Sequence, residues 1–346
     1  MKILITGNLG YIGPVVCRHL REKFADVDLT GFDTGYFTEC QTVQALHEHE
    51  KPHRQILGDI RTIPDSILEG FDAVVHLAAI SNDPMGKQFA RATKAVNEEA
   101  SVRLAQLAKQ RGVKRFVFAS SCSVYGIDDG SLKSEQSQIH PLSAYAESKV
   151  GAEIQLQALG DTAFQVTALR FATACGFSPR CRLDLVLNDF VASALSEGRI
   201  HLLSDGTPWR PLIHVKDMAR AMEWALQRQG EAFLAMNAGS ESWNYQIREL
   251  AEAVSRHLGN VPVSVNPEAA PDKRSYRVDF SVFRALAPNH QPKVTLESAV
   301  EELVRGLRPV VAPGADFRHS SHIRLHVLGN LMQQGRIDSD LRWLTH

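Results

Sequence analysis

Met1-Lys2-Ile3-Leu4-Ile5-Thr6-Gly7-Asn8-Leu9-Gly10-Tyr11-Ile12-Gly13 opens the chain, an apolar strand running directly into Thr-Gly-x-x-Gly-x-x-Gly. An apolar-periodic segment, Gly13–Phe24, reads as the helix that follows. A second apolar run, Asp28–Phe32, ends on Asp33, about twenty residues beyond the glycines. Strand, glycine turn, helix and acid in that order form a dinucleotide-binding pattern. Gly7 permits the tight turn, Gly10 lets the backbone approach a pyrophosphate, and Gly13 allows close packing of helix on strand. The phosphates would rest on the helix N-terminus, where unpaired N–H groups favour anions. Asp33 would accept the adenosine ribose hydroxyls. Asp33-Thr34-Gly35-Tyr36 holds no arginine to offset a 2′-phosphate, so NAD is expected over NADP. A glycine-rich turn without ligand is the plainer alternative, but it would not require the acid.

Working outward, short β-rich runs alternate with helical patterns to about residue 170. Strands are expected at Lys2–Thr6, Asp28–Phe32, Gln55–Leu57, Ala73–Leu77, Arg115–Ser120 and Phe164–Leu169, with helices at Phe89–Gln110 and Ser143–Leu159. This alternation predicts an α/β fold, a doubly wound parallel sheet with ligands beyond the carboxyl ends of its strands. After residue 170 prolines punctuate shorter segments, and helices are expected at Asp184–Glu197, Asp217–Arg228 and Tyr245–His257. The division expected is a dinucleotide-binding part over 1–170, a smaller substrate-binding portion over 171–308, and a polar, histidine-dotted extension over 309–346.

The chain has 346 residues, 44% hydrophobic and 22% charged, with a formal net charge of −1. That balance gives no electrostatic case for nucleic acid or an anionic membrane as partner. No apolar run reaches the roughly twenty residues that span a bilayer, and no basic region with a cleavage site precedes the first strand. Cys17, Cys40, Cys122, Cys175 and Cys181 are odd in number and scattered, which fits reduced thiols in a cytoplasmic protein. His47, His49 and His53 lack ligand spacing, and His319, His322 and His326 lack a carboxylate companion in the reading, so no metal is expected.

Two segments carry chemistry. Ser120-Ser121-Cys122-Ser123-Val124-Tyr125-Gly126 closes the fifth strand, and Tyr145-Ala146-Glu147-Ser148-Lys149 opens the next helix. Tyr145 and Lys149, four apart, share a helical face. To act as a base at neutral pH, a phenol needs its pKa brought down by about 3, roughly 4 kcal/mol. Lys149 and a nicotinamide ring are the expected sources, with Ser121 sharing a proton with the reacting hydroxyl.

Together these motifs resemble the extended short-chain dehydrogenase/reductase superfamily, specifically its nucleotide-sugar epimerase/dehydratase family, over roughly residues 1–306. The resemblance implies Tyr145, Lys149 and Ser121 as catalytic residues. It implies NAD contacts from Gly7, Gly10, Tyr11, Ile12, Gly13, Asp33, Asp59, Ile60, Leu77, Ala78, Ala79, Asn97, Ser120 and Phe171, with Tyr145 and Lys149. Leu169–Gly176 resembles the family's Leu-Arg-Tyr-Phe-Asn-x-x-Gly, with Thr173 where asparagine usually stands. Asp205–Arg210 resembles the segment whose arginine grips substrate phosphates, so Arg210 is the expected diphosphate clamp. Ser81, Cys122, Ser123, Arg182 and Asn188 are further substrate candidates, and Arg274 is a possible substitute for a family arginine absent at Ala269. A homodimer through the helices at 89–110 and 143–159, each with a second apolar strip, is also implied.

Family members that dehydrate sugars carry Asp-Glu before Val-Tyr-Gly, where this chain has Cys122-Ser123. Without that acid/base pair elimination loses its machinery. The expectation is an NAD-dependent epimerase of a nucleoside-diphosphate sugar, most plausibly at C4. A net oxidase or ketoreductase at that carbon, and a non-catalytic NAD sensor, are the alternatives.

Overall fold

The computed structural model describes residues 1–126, 130–265 and 275–344. Its main sheet has seven strands: β1 (Lys2–Thr6), β2 (Asp28–Asp33), β3 (Arg54–Leu57), β4 (Ala73–His76), β5 (Arg115–Ser121), β6 (Gln165–Phe171) and β7 (Phe233–Ala238). They lie in the order β3-β2-β1-β4-β5-β6-β7, and every pairing is parallel. The order reverses between β1 and β4, which opens a crevice at their carboxyl ends. Ile3 pairs with Leu29 on one side and with Ala73 on the other. Side chains alternate faces along each strand, so Ile3 and Ile5 join one apolar layer while Leu4 joins the opposite one. Such near-continuous apolar runs suit strands buried on both faces.

Two elements differ from the sequence reading. The seventh strand comes from residues beyond 170 and pairs with β6 along its length, Phe233 opposite Val166 and Ala238 opposite Phe171. The segment read as one helix over 89–110 is Ala90–Lys94, a wide π turn at Ala95–Glu99, and Ala100–Gln110, preceded by a short helix at Asp83–Gln88. The π turn carries the fully buried Asn97, whose Oδ1 accepts from Ile80 N at 2.8 Å and whose Nδ2 donates to Ile80 O at 2.9 Å. That side chain completes the backbone pairing of the loop after β4, a task a regular turn would aim elsewhere.

The extension forms a helix, Arg324–Gln333, packed against the crevice. Leu328, Leu331, Ile337 and Leu341 bury themselves against Ile80, Met85 and Phe89. Outward from the helices at 90–110 and Ala144–Gln157 lie Arg91, Lys94, Glu99, Arg103 and Gln106, with Ile154 the large apolar side chain exposed there. The second apolar strip read from the sequence is therefore a polar face with one apolar point.

Candidate active site

A cavity of about 990 Å³ opens at the carboxyl ends of β1, β4 and β5. At one end it is lined by Gly7, Gly10, Tyr11 and Ile12, the turn into the helix Gly13–Lys23. Gly7 has φ +73°, and a Cβ there would lie 2.5 Å from Ala78 N, so only glycine fits between β1 and the strand backing it. Gly13 lies behind the cavity; a Cβ on it would strike Asn8 O at 2.0 Å, which is the close packing expected of that position. Asp33 closes β2 with Oδ2 accepting from Leu9 N at 3.0 Å and Oδ1 from Gly35 N at 2.8 Å. Burial raises its pKa, against those two hydrogen bonds and the nearby Arg180 and Arg324. Asp59 and Ile60 line the same end, as do Leu77, Ala78 and Ala79. Asp59 is held by its neighbour, accepting from Arg61 N and Nε at 2.9 Å. Arg61 in turn donates to Asp340 O and Leu341 O, so the extension reaches this wall.

At the other end Ser120, Ser121, Tyr145, Lys149 and Phe171 face the cavity together. Ser143 Oγ caps the helix Ala144–Gln157 by accepting from Ala146 N at 3.2 Å, which starts the helix just where Tyr145 meets Ser121. Ser121 Oγ accepts from Ser123 N at 3.1 Å and sits close enough to the Tyr145 phenol to work against the rise of its pKa. Lys149 Nζ donates to Ala119 O at 2.7 Å and lies 5.8 Å from the Tyr145 ring centroid. Burial dominates both groups. It pushes the Tyr145 phenol up to about 12, with Ser121 working against it, and the Lys149 ammonium down to about 7, with Glu153 working against it. The depression of the phenol expected from Lys149 is thus not supplied by the protein alone. Among the charged groups around it, Asp83 adds to the rise of the phenol and Arg182 opposes it.

Of the substrate candidates, Ser81, Ser123, Thr173, Arg182 and Arg210 line the cavity. Arg182 is braced, with Nε and Nη2 on the two oxygens of Asp184 at 3.0 and 2.6 Å and Nη1 on Ser81 Oγ at 2.9 Å. Arg210 projects from the strand Trp209–His214, its Nη1 donating to Trp209 O at 3.0 Å. Cys122 does not face the cavity. Its Sγ donates to Arg170 O at 3.0 Å, and burial raises its thiol pKa, so it packs behind the site. Asn188 is also turned inward, spent on Gly176 N, Tyr11 Oη and Arg182 O. Asn97 lies beneath the cavity wall and links it to the catalytic helix through Ser148 Oγ at 3.1 Å. Arg274, with Ala269 and Asp272, lies outside the described residues.

The sequence reading did not single out Tyr276, Tyr36, Phe37 or Arg324, all of which line the cavity. Asp83 lines it too and accepts from Ser143 Oγ at 2.6 Å. Among the described residues no group of three or more His, Cys, Asp or Glu side chains is placed to hold a metal ion. His319 does have a carboxylate companion, Asp316 Oδ2 at 2.6 Å from Nδ1. Among those residues, too, no helix is long and apolar enough to cross a membrane.

A seven-stranded parallel sheet with this glycine turn, acid and Ser–Tyr–Lys mouth defines an extended short-chain dehydrogenase/reductase. Residues 3–239 match the NAD dependent epimerase/dehydratase family, and the chain belongs to that family. Its cofactor is NAD, which the glycine turn and Asp33 at the end of β2 both fit. The chain is 27% identical over 310 residues to the low-salt glycan biosynthesis protein Agl12 of Haloferax volcanii, covering 88% of this chain and 97% of that one. It is 26% identical over 292 residues to a UDP-glucose 4-epimerase of Corynebacterium glutamicum, covering 79% and 85%. A dTDP-glucose 4,6-dehydratase of Streptomyces griseus is 29% identical over 286 residues, covering 80% and 85%. Among solved structures, MoeE5 in complex with UDP-glucose and NAD superposes with a TM-score of 0.76 at 27% identity, covering 90% of this chain and 100% of its own.

Proposed function

We propose that this chain is an NAD-dependent epimerase of a nucleoside-diphosphate sugar acting at C4, with Tyr145, Lys149 and Ser121 as its catalytic residues. The observation that carries the reading is the convergence of those three side chains on one cavity whose β5 end offers Ser123 where dehydratases carry a carboxylate. Bound against the glycine turn, NAD supplies the acceptor and then the donor of a hydride at the sugar carbon. Tyr145 Oη takes the proton from the C4 hydroxyl and returns it after the sugar has turned over. Ser121 Oγ hydrogen-bonds the same oxygen and keeps the phenol aligned. Lys149, fixed on Ala119 O, would hydrogen-bond the nicotinamide ribose and orient it beside Tyr145. Arg210, which lines the cavity along with Thr173, grips the substrate diphosphate. A net oxidation at C4 would use the same proton transfer and would be told apart by release of reduced cofactor.

Relatives named as UDP-glucose 4-epimerases and a neighbour solved with UDP-glucose support a UDP-sugar as the first substrate class to try. We further infer an isologous homodimer through the helices at 90–110 and 144–157, supported by the exposed Ile154. The five free, buried cysteines support a reducing, cytoplasmic setting. Incubation with a panel of UDP-, dTDP-, GDP-, CDP- and ADP-sugars, read by proton NMR of the products, tests the function. C4-inverted sugar from at least one donor is expected, and a product that has lost water would overturn the reading.

A further inference from the structure

We propose that Arg324, delivered by the C-terminal extension, is a ligand of the dinucleotide's diphosphate and makes the extension a clasp over the bound cofactor. Arg324 is 2% exposed and lines the cavity. Its guanidinium stacks 4.8 Å over the Phe37 ring, and Nη2 donates to Arg180 O at 2.8 Å. Nη1 is buried and has no hydrogen-bond partner among the described residues. The charges around it do not balance. Arg180 and Arg182 are buried cations beside it, and burial together with repulsion from Arg182 lowers the pKa of Arg324. Asp184 is already engaged by Arg182, and Asp33 is committed to Leu9 N and Gly35 N. A buried guanidinium left in this state calls for an anion.

Location says which anion. Ser178 Oγ donates to Tyr11 O at 2.6 Å, which seats the loop bearing Arg180 and Arg182 directly against the glycine turn. That turn opens the helix whose N-terminus is built to receive a diphosphate. Arg324 stands on the Asp33 and Phe37 side of the cavity, the adenosine end, away from the Arg210 strand. The extension then closes that end further on, with Trp343 Nε1 donating to Thr34 O at 2.8 Å and the Tyr36 hydroxyl bonding Leu341 O.

The proposal rests on NAD occupying the cavity and is independent of the sugar reaction. The test is calorimetric binding of NAD, ADP, adenosine and UDP to the full-length protein freed of nucleotide, comparing wild type with Arg324→Met and Arg324→Lys. Arg324→Met should weaken NAD and ADP about tenfold or more, leave adenosine within about twofold, and leave UDP unchanged, with Arg324→Lys intermediate for ADP. Equal losses for ADP and adenosine, unchanged ADP, or a loss confined to UDP would overturn it. Should Arg324→Met not fold, hydrogen exchange in the wild type decides. ADP should slow exchange across Arg324–Gln333 more than adenosine does, and equal protection by the two would sink the proposal.

Discussion

Tyr145 and Lys149 pull each other's ionisation less than burial pulls both. The phenol rises to about 12 and the ammonium falls to about 7 by burial, so the proposed role of Tyr145 as base calls for positive charge from the cofactor side. Tyr145→Phe should therefore cost at least about a hundredfold in turnover and leave NAD affinity within about threefold, because only the transferable proton goes. Near-normal turnover in that variant would remove Tyr145 as the base. Lys149→Ala should lower both turnover and NAD retention. His76 makes a separate claim about pH. Ser101 Oγ gives its proton to Asn97 O at 2.7 Å and so accepts from His76 Nε2, while Nδ1 lies 2.6 Å from Thr6 Oγ1, a hydroxyl able to donate to a neutral ring. Burial, with Lys149 adding repulsion, favours that neutral ring and lowers its pKa to about 3. An unfolded histidine titrates near 6.5, so below that pH the unfolded state binds a proton the folded state refuses. Stability should be fully present above pH 6.5 and fall with acid, with a contribution from His76 approaching 1.4 kcal/mol per pH unit. Urea unfolding of His76→Gln should show a shallower fall between pH 6.5 and 4.5; an unchanged slope would contradict the neutral, caged ring.

Among elements, the strands were the most readable. Lys2–Thr6 matches its apolar run, and β2, β5 and β6 run on to Asp33, Ser121 and Phe171, the residues that face the crevice. Continuous apolar runs bounded by polar turns leave little freedom for a parallel strand. The break at 95–99 was hidden, because its cause is a side chain reaching a loop seventeen residues back in sequence. Helical spacing alone cannot report such a contact. Asn97 bonds both backbone groups of Ile80 and the Ser148 hydroxyl, which itself donates to Tyr145 O at 2.7 Å. Asn97→Ala should leave buried partners unpaired and lower the unfolding free energy by about 3 kcal/mol. A loss below about 1 kcal/mol in denaturant titration would show that the π turn does not depend on this side chain.

At the scale of the molecule, the glycine turn, Asp33 and the Ser–Tyr–Lys mouth were legible because each is set by local geometry at a strand end. Cys122 and Asn188 misled, since adjacency in sequence to the site says nothing of which way a side chain turns. The extension was opaque for the opposite reason. Trp343, Leu341 and Arg324 meet Thr34, Tyr36 and Phe37 across some three hundred residues of chain, with no motif to announce it. The same extension ties Asp340 to Arg91, at one end of the face expected to dimerise. If dimers form there, Ile154→Glu should shift the mass by light scattering from dimer to monomer at micromolar concentration; a monomeric wild type would end that proposal.

The central claim is C4 epimerisation, with Tyr145 moving the hydroxyl proton and no acid/base pair for elimination. Its most direct test follows an accepted nucleotide-sugar carrying deuterium at C4 through turnover, by NMR and mass spectrometry, alongside absorbance of reduced cofactor and a parallel run of unlabelled sugar in deuterated water. The account predicts C4-inverted sugar with its label retained, the 6-hydroxyl intact, no deuterium gained at C5, and no stoichiometric NADH. Stoichiometric NADH with a keto or acid product would make the protein an oxidase, and a 6-deoxy-4-keto product would contradict the account at the residues on which it stands.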